Sequence, residues 1–230
     1  MVVNIPIVTL DKIYIEPDGQ NIVFLDCTRI NGTDKIVSRR KESLDEQLNN
    51  IINSFCGKKI VIADDVVFSG NVLRIIIDLL EKGGVEVVGI ITSVCTRESY
   101  EYFNRNLKYG LKTNYIMDDD VIDQICERDF YFGIAGSGIM VERDGKLYKA
   151  PYFKPFGNPN ERASIPVEYE DSFSKGCLKR SIILWEEIEK MSNSKIYASM
   201  LPEVIYGVSR EEEVVKLLKK EMNRLWKKYK

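Results

Sequence analysis

The sequence predicts an α/β protein built on a doubly wound, mainly parallel sheet, with an N-terminal hairpin and a C-terminal helical extension. Three observations carry that expectation. Continuous apolar runs, Ile60-Val61-Ile62 and Val87-Val88-Gly89-Ile90-Ile91, read as strands buried on both faces. Segments with apolar residues at helical spacing alternate with them. Glycines such as Gly57, Gly83-Gly84 and Gly110 stand where the period switches. Such alternation produces right-handed βαβ units and helices on both faces of one sheet.

Taken in order, Ile22–Cys27 and Lys35–Ser38 read as short strands joined through Asn31-Gly32, a dipeptide suited to hairpin turns. Ser43 and Glu46 form a capping box, and Leu44, Leu48, Ile51, Ile52 and Phe55 follow at helical spacing. Then come strand Lys59–Ala63, helix Asn71–Lys82, strand Val85–Val94, a helix near Ser99–Tyr109, strand Asn114–Met117, helix Asp119–Arg128 and strand Phe130–Ala135. From Glu142 to Pro166 the composition shifts to Pro, Gly, Asn and Lys, which marks irregular chain and a candidate lid carrying Arg162 and Ser164. Two helices close the chain, near Leu178–Met191 and about Glu211–Lys228, the second with Ser209 and Glu212 as a capping box. Val214, Leu217, Leu218, Met222, Leu225 and Trp226 form its core face, and lysines its solvent face. Residues 1–141 are thus expected to form the α/β core with its hairpin, and residues 142–230 a Pro-rich loop with helices packed on it.

With 33 Lys and Arg against 35 Asp and Glu, the 230-residue chain lacks the basic footprint of a nucleic-acid partner. Five widely spaced cysteines, Cys27, Cys56, Cys95, Cys126 and Cys177, form no C-x-x-C pair and are expected to pack as small hydrophobes in a reducing compartment. There is no histidine, which excludes a Ser-His-Asp or Cys-His nucleophile. No stretch reaches the roughly 18 apolar residues of a membrane span, so a soluble, cytoplasmic protein without membrane partners is expected.

The chemistry concentrates in Ile60-Val61-Ile62-Ala63-Asp64-Asp65-Val66-Val67-Phe68-Ser69-Gly70-Asn71-Val72-Leu73. A buried strand runs into two acids, then a small-residue turn opens a helix. Ligands of α/β sheets lie at the C-terminal ends of strands. Backbone N–H groups of the Ser69-Gly70-Asn71 turn and the positive end of the helix suit a phosphate monoester. The paired carboxylates suit ribose hydroxyls, directly or through Mg²⁺.

This segment resembles the signature of type I phosphoribosyltransferases: four apolar residues, two acids, three mostly apolar residues, Thr or Ser, Gly, a variable residue and usually Thr. The resemblance implies that Asp64 and Asp65 are the catalytic-site acids that hold the ribose 2′- and 3′-hydroxyls and touch the metal only indirectly, via ribose or water. Val66, Val67, Phe68, Ser69, Gly70, Asn71, Val72 and Leu73 would bind the 5′-phosphate of 5-phosphoribosyl-1-pyrophosphate, with Mg²⁺ as cofactor and a homodimer as the assembly. Two departures stand out. Val72 replaces the usual Thr, removing a hydroxyl, and Phe68 stands where the hypoxanthine-guanine enzymes have Asp, so that phenyl ring cannot act as acid or base.

Family members place a Gly-containing pyrophosphate loop upstream, yet no such loop is visible in the 59 residues before Ile60. The strand-turn ending in Gly136, Ser137 and Gly138 reads either as its displaced equivalent or as an ordinary sharp turn. Arg39 and Arg40 read either as pyrophosphate contacts or as surface charge. Asp118-Asp119-Asp120 opens a helix, where capping outweighs metal binding. The expected activity is transfer of phosphoribose to a nitrogenous base or similar acceptor, with release of pyrophosphate. The alternative is a non-catalytic module of the same fold that senses ribose phosphates or nucleotides. A phospho-acceptor role for Asp64 or Asp65 is the weakest reading, since no Walker-type loop is present.

Overall fold

A computed structural model describes residues 5–11, 15–18, 20–30, 33, 35–118, 130–160 and 165–227. The chain forms two compact units: Met1–Arg29 with Asp34–Val121, and Ile30–Thr33 with Ile122–Lys230.

The first unit contains β1 (Ile7–Thr9), β2 (Ile22–Phe24), β3 (Thr28–Arg29), β4 (Ile36–Val37), α1 (Leu44–Phe55), β5 (Lys59–Val67), α2 (Asn71–Lys82), β6 (Glu86–Thr96), α3 (Arg97–Asn106) and β7 (Leu111–Met117). Its sheet has the order β2-β1-β5-β6-β7, and every neighbouring pair is parallel. Val8, Ile62, Ile90 and Leu111 stand in register across it, and all four join one core with Leu48 and Ile51 of α1 and Ile76 and Leu80 of α2. Along β6, Val87, Val88 and Ile90 are buried as the apolar run suggests, whereas Ile91, the next residue, is 46% exposed. The capping box forms as expected, Glu46 N donating to Ser43 Oγ and Ser43 N to Glu46 Oε2.

The N-terminal part corrects the expected hairpin. Ile22–Phe24 joins the parallel sheet beside β1, while the antiparallel pair is Thr28–Arg29 with Ile36–Val37. The Asn31-Gly32 turn lies outside the described residues, as does the expected helix Asp119–Arg128. The crossing from β2 into this small pair is held by buried Asp26. Its carboxylate accepts from Ser38 Oγ (3.1 Å), Arg39 N (2.6 Å) and Arg39 Nε (3.0 Å), and its own N–H donates to Gln47 Oε1 of α1 (2.9 Å).

The second unit contains β8 (Ile139–Arg143), β9 (Lys146–Ala150), α4 (Glu170–Ser192) and α5 (Val214–Lys227). β8 and β9 are an antiparallel hairpin closed by Asp144-Gly145, both at positive φ (51° and 70°), so part of the stretch expected to be irregular is regular sheet. Phe130–Ala135 is not a strand. Phe132 N donates to Ser181 Oγ at 2.9 Å and Phe132 O accepts from Trp185 Nε1 at 2.7 Å, so α4 side chains take the bonds a ladder would use. Phe132, Phe153, Cys177, Leu178 and Leu218 form the centre of this unit's core.

α4 begins eight residues before the expected Leu178, and the buried residues of those added turns include Glu170 and Ser174, polar positions that interrupt an apolar stripe; the Ser174 hydroxyl accepts from Lys154 N. On α5, Trp226 is not core: it is 60% exposed, with Lys175 Nζ 4.7 Å from its ring centroid. Ser209 and Glu212 form no capping box, because Glu212 N bonds to Ser209 O in a turn that precedes the helix. Cys95 and Cys177 are buried and Cys27 half-buried, whereas Cys56 is exposed just after α1. No described helix is long and apolar enough to cross a membrane.

Asp26→Ala leaves Ser38, the Arg39 backbone and the Arg39 guanidinium without their acceptor. We expect a loss of about 2–4 kcal/mol in urea unfolding of the intact chain. A change below about 0.5 kcal/mol would show that the β2 crossing does not depend on this carboxylate.

Candidate active site

β1 ends at Thr9, opposite Ala63, and Leu10 N makes the last bond to β5 at Ala63 O (2.8 Å). β5 continues without that neighbour. Asp64, Val66 and Val67 pair only with Thr92, Val94 and Cys95 of β6. The strand expected to stop at Ala63 therefore carries both acids as strand residues, and the pleat sends their side chains to opposite faces. Local bonds fix them: Asp65 N donates to Asp64 Oδ1 (3.0 Å), Val66 N to Asp65 Oδ1 (2.8 Å), and Thr92 Oγ1 to Asp65 O (3.0 Å).

Asp64 is half-buried, and its carboxyl is pushed up to about 8, first by burial and then by the neighbouring Asp65 charge, with a smaller push from Asp11. The Cys27 thiol is pushed up to about 12 by burial, with Asp64 the next cause. Asp11 and Cys27, just beyond β1 and β2, thus share the electrostatic surroundings of Asp64. Sequence reading missed both. The signal was thin, since β1 and β2 are only three residues each. Among the described residues no three acidic or thiol groups converge into a metal cluster. Two hard carboxylate oxygens with no third ligand suit an ion such as Mg²⁺ that is held mostly by water and substrate oxygens.

The turn after β5 is built from α3. Phe68 O accepts from Thr96 Oγ1 (2.9 Å) and from Ser99 Oγ. Gly70 adopts φ 68° and caps α2 with no side chain, and Asn71 N lies 3.5 Å from Ser69 Oγ. The first turn of α2 thereby presents N–H groups at the positive end of a 12-residue helix. A Cβ on Gly70 would lie 2.7 Å from Phe103 Cε2, so glycine here serves packing as well as backbone conformation. Ser69 and Asn71 are exposed and Phe68 and Val72 half-buried. Val67 and Leu73 are core residues at 2% exposure and can offer a ligand only their backbone.

The remaining candidates are engaged. Arg39 holds Asp26 with Nε at 3.0 Å and Nη2 at 2.9 Å, and Arg40 lies 5.4 Å from the Phe24 ring centroid. In the second unit, Gly136 N donates to Glu203 Oε1 (3.2 Å), and Ser137 is buried with its N and Oγ both on Ile134 O. Gly138 approaches Ala150 so closely that a Cβ would lie 2.7 Å from its carbonyl oxygen. Asp118 is bound by Arg97, which holds its carboxyl below the usual range, while Asp119, Asp120, Arg162 and Ser164 lie outside the described residues.

A parallel sheet with an acid pair at its C-terminal edge, beside a glycine turn opening a helix, has the arrangement in which α/β sheets place their ligands. Residues 20–129 match the phosphoribosyl transferase domain family. No curated protein sequence matches the chain. Among solved structures, TT1426 from Thermus thermophilus is similar to it at 10% identity and a TM-score of 0.31, over 50% of this chain and 76% of that one.

Because its folded pKa of about 8 exceeds the ordinary 3.8, Asp64 contributes stability fully present below pH 4 and lost as pH rises to about 8. Asp64→Asn removes that dependence. Its melting temperature relative to wild type should climb from pH 4 to pH 9, by the equivalent of about 1–2 kcal/mol after solvent screening. A difference that stays flat across this range refutes the assignment.

Gly70→Ala is expected to lose about 1–3 kcal/mol of unfolding free energy, part of it recovered by Phe103→Leu in the same chain. Wild-type stability in the single variant would mean that the turn relaxes away from Phe103.

Proposed function

We propose that the chain binds 5-phosphoribosyl-1-pyrophosphate with Mg²⁺ and transfers phosphoribose to a nitrogenous base or similar acceptor, releasing pyrophosphate. The observation that supports this best is the acid pair of β5 standing just beyond the last β1 contact and leading directly into the Gly70 turn, inside a phosphoribosyl transferase domain. Val66 to Leu73 hold the 5′-phosphate through backbone N–H groups and the Ser69 hydroxyl. Asp64 and Asp65 meet the ribose hydroxyls, and the negative charge the pair carries once Asp64 gives up its proton favours the positive charge that develops on the sugar ring as pyrophosphate departs. Mg²⁺, held chiefly by water and substrate oxygens beside Asp64 and Asp65, would supply neutralising charge for the leaving pyrophosphate.

Pyrophosphate contacts are assigned to Arg39 and Arg40. Arg39 can serve with the Nη1 edge that Asp26 leaves open, whereas Gly136, Ser137 and Gly138 belong to the other unit, where Gly136 is engaged with Glu203 and Ser137 with Ile134. A second reading, a non-catalytic sensor of ribose phosphates, is favoured by one feature. β1 runs into Asp11, and this carboxylate raises the pKa of Asp64 at the strand end beside the acid pair, a poor setting for a pyrophosphate group. In either reading the ligand is a small ribose phosphate.

Calorimetric titration with 5-phosphoribosyl-1-pyrophosphate, with and without Mg²⁺, tests binding, and pyrophosphate release against a panel of bases separates enzyme from sensor. Asp64→Asn with Asp65→Asn should weaken Mg²⁺-dependent binding by about 100-fold or more, without loss of cooperative unfolding. Unchanged affinity in that double variant would overturn the assignment of both acids.

A further inference from the structure

Among the described residues, Arg74 Nε is the buried side-chain polar atom that lacks a hydrogen-bond partner. The guanidinium is not loose: its carbon lies 3.8 Å from the ring centroid of Tyr102, close enough for a strong cation–π contact. Its helical neighbour at i+4, Asp78, is taken by Lys82 at 2.6 Å, and Glu101 of α3 is taken by Arg105 at 2.9 Å. Arg39 and Arg97 both hold carboxylates, so Arg74 differs from them in carrying an immobilised charge with no described anion. Leaving such an N–H buried and unpaired costs stability, which points to a partner that arrives from outside.

Position says what that partner is. Arg74 N bonds to Gly70 O at 2.9 Å, so residues 70 and 74 share the helix face that meets α3. Helical side chains lean toward the N-terminus, here toward Ser69-Gly70-Asn71. Phe103, which packs against Gly70, is edge-on to Tyr102 with centroids 5.1 Å apart. One aromatic pair therefore braces both the glycine of the turn and the guanidinium. The position two residues earlier is Val72, which offers no hydroxyl.

We propose that Arg74 is an anion-binding residue of this turn, contributing to a phosphate monoester the side-chain contact that Val72 does not make. A stacked guanidinium presents a planar fork of N–H donors, which matches phosphate oxygens. This inference rests on the ribose-phosphate reading of the Asp64–Leu73 segment and extends it by a residue.

The test is calorimetric titration of ribose 5-phosphate, and of neutral ribose as control, into wild type, Arg74→Met and Arg74→Lys, with thermal melts of each ligand-free protein. We expect Arg74→Met to bind ribose 5-phosphate about 10- to 100-fold more weakly while melting at or above the wild-type temperature, because the unpaired N–H is gone. Arg74→Lys should melt like wild type yet recover only part of the affinity, since an ammonium lacks the fork. Equal affinity in wild type and Arg74→Met would overturn this inference and leave the ribose-phosphate reading standing. Wild type that fails to bind ribose 5-phosphate would overturn both. Affinity that merely follows melting temperature across the three proteins would make Arg74 a packing residue and overturn the inference.

Discussion

β1 is short, and the site depends on that. Because it stops at Thr9, β5 keeps a neighbour on only one side beyond Ala63. β5, β6 and β7 all run on past that level, to Val67, Thr96 and Met117, and form a ledge whose free side begins at Asp64. A longer β1 would have given Asp64 and Asp65 a strand beside them and enclosed their carboxylates. As it is, Asp64 remains half-buried, expensive to ionise yet reachable, and local bonds to Asp65 N and Val66 N hold both carboxylates without help from β1.

The second support is α3. It follows β6 directly, with Thr96 as both last strand residue and helix cap, its Oγ1 accepting from Ser99 N while donating to Phe68 O. The carbonyl side of the turn is thereby tied down. Phe103 then packs against Gly70, so the turn leans on a fully buried ring. Preorganisation of this kind keeps backbone N–H groups aimed at a ligand site before any ligand arrives.

Much of this was legible in the sequence, and the failures have physical causes. α2 matches its expected bounds because its apolar period is strong and its ends are glycines. The acids and the turn were legible because their order along the chain is itself the chemistry. β1 was not, since a three-residue strand carries too little pattern to distinguish from loop, and β2, though read as a strand, was given a hairpin partner instead of β1. Phe130–Ala135 misled through its apolar run: its aromatic side chains do face a core, but its backbone bonds go to Ser181 and Trp185 rather than to a strand. α4 was read eight residues short because buried Glu170 and Ser174 interrupt the apolar stripe. Arg74 carried no signal at all, as one arginine on an amphipathic helix reads as solvent face until its surroundings are seen.

Charge distribution unites these features. One end of the site is negative, from Asp64 and Asp65 with Asp11 nearby, and the other is positive, from the first turn of α2 and, in the proposal above, Arg74. A ligand that is only anionic would be repelled at the first end, and one that is only a sugar would leave the second unused. A sugar phosphate, the ligand proposed above, would satisfy both, with its hydroxyls donating to carboxylates and its phosphate accepting from N–H groups. The spacing along the chain is compatible with such a ligand: Asp65 and Ser69 are separated by three residues, two of them in extended strand. At about 3.3 Å per extended residue, the two ends lie within the reach of one pentose phosphate.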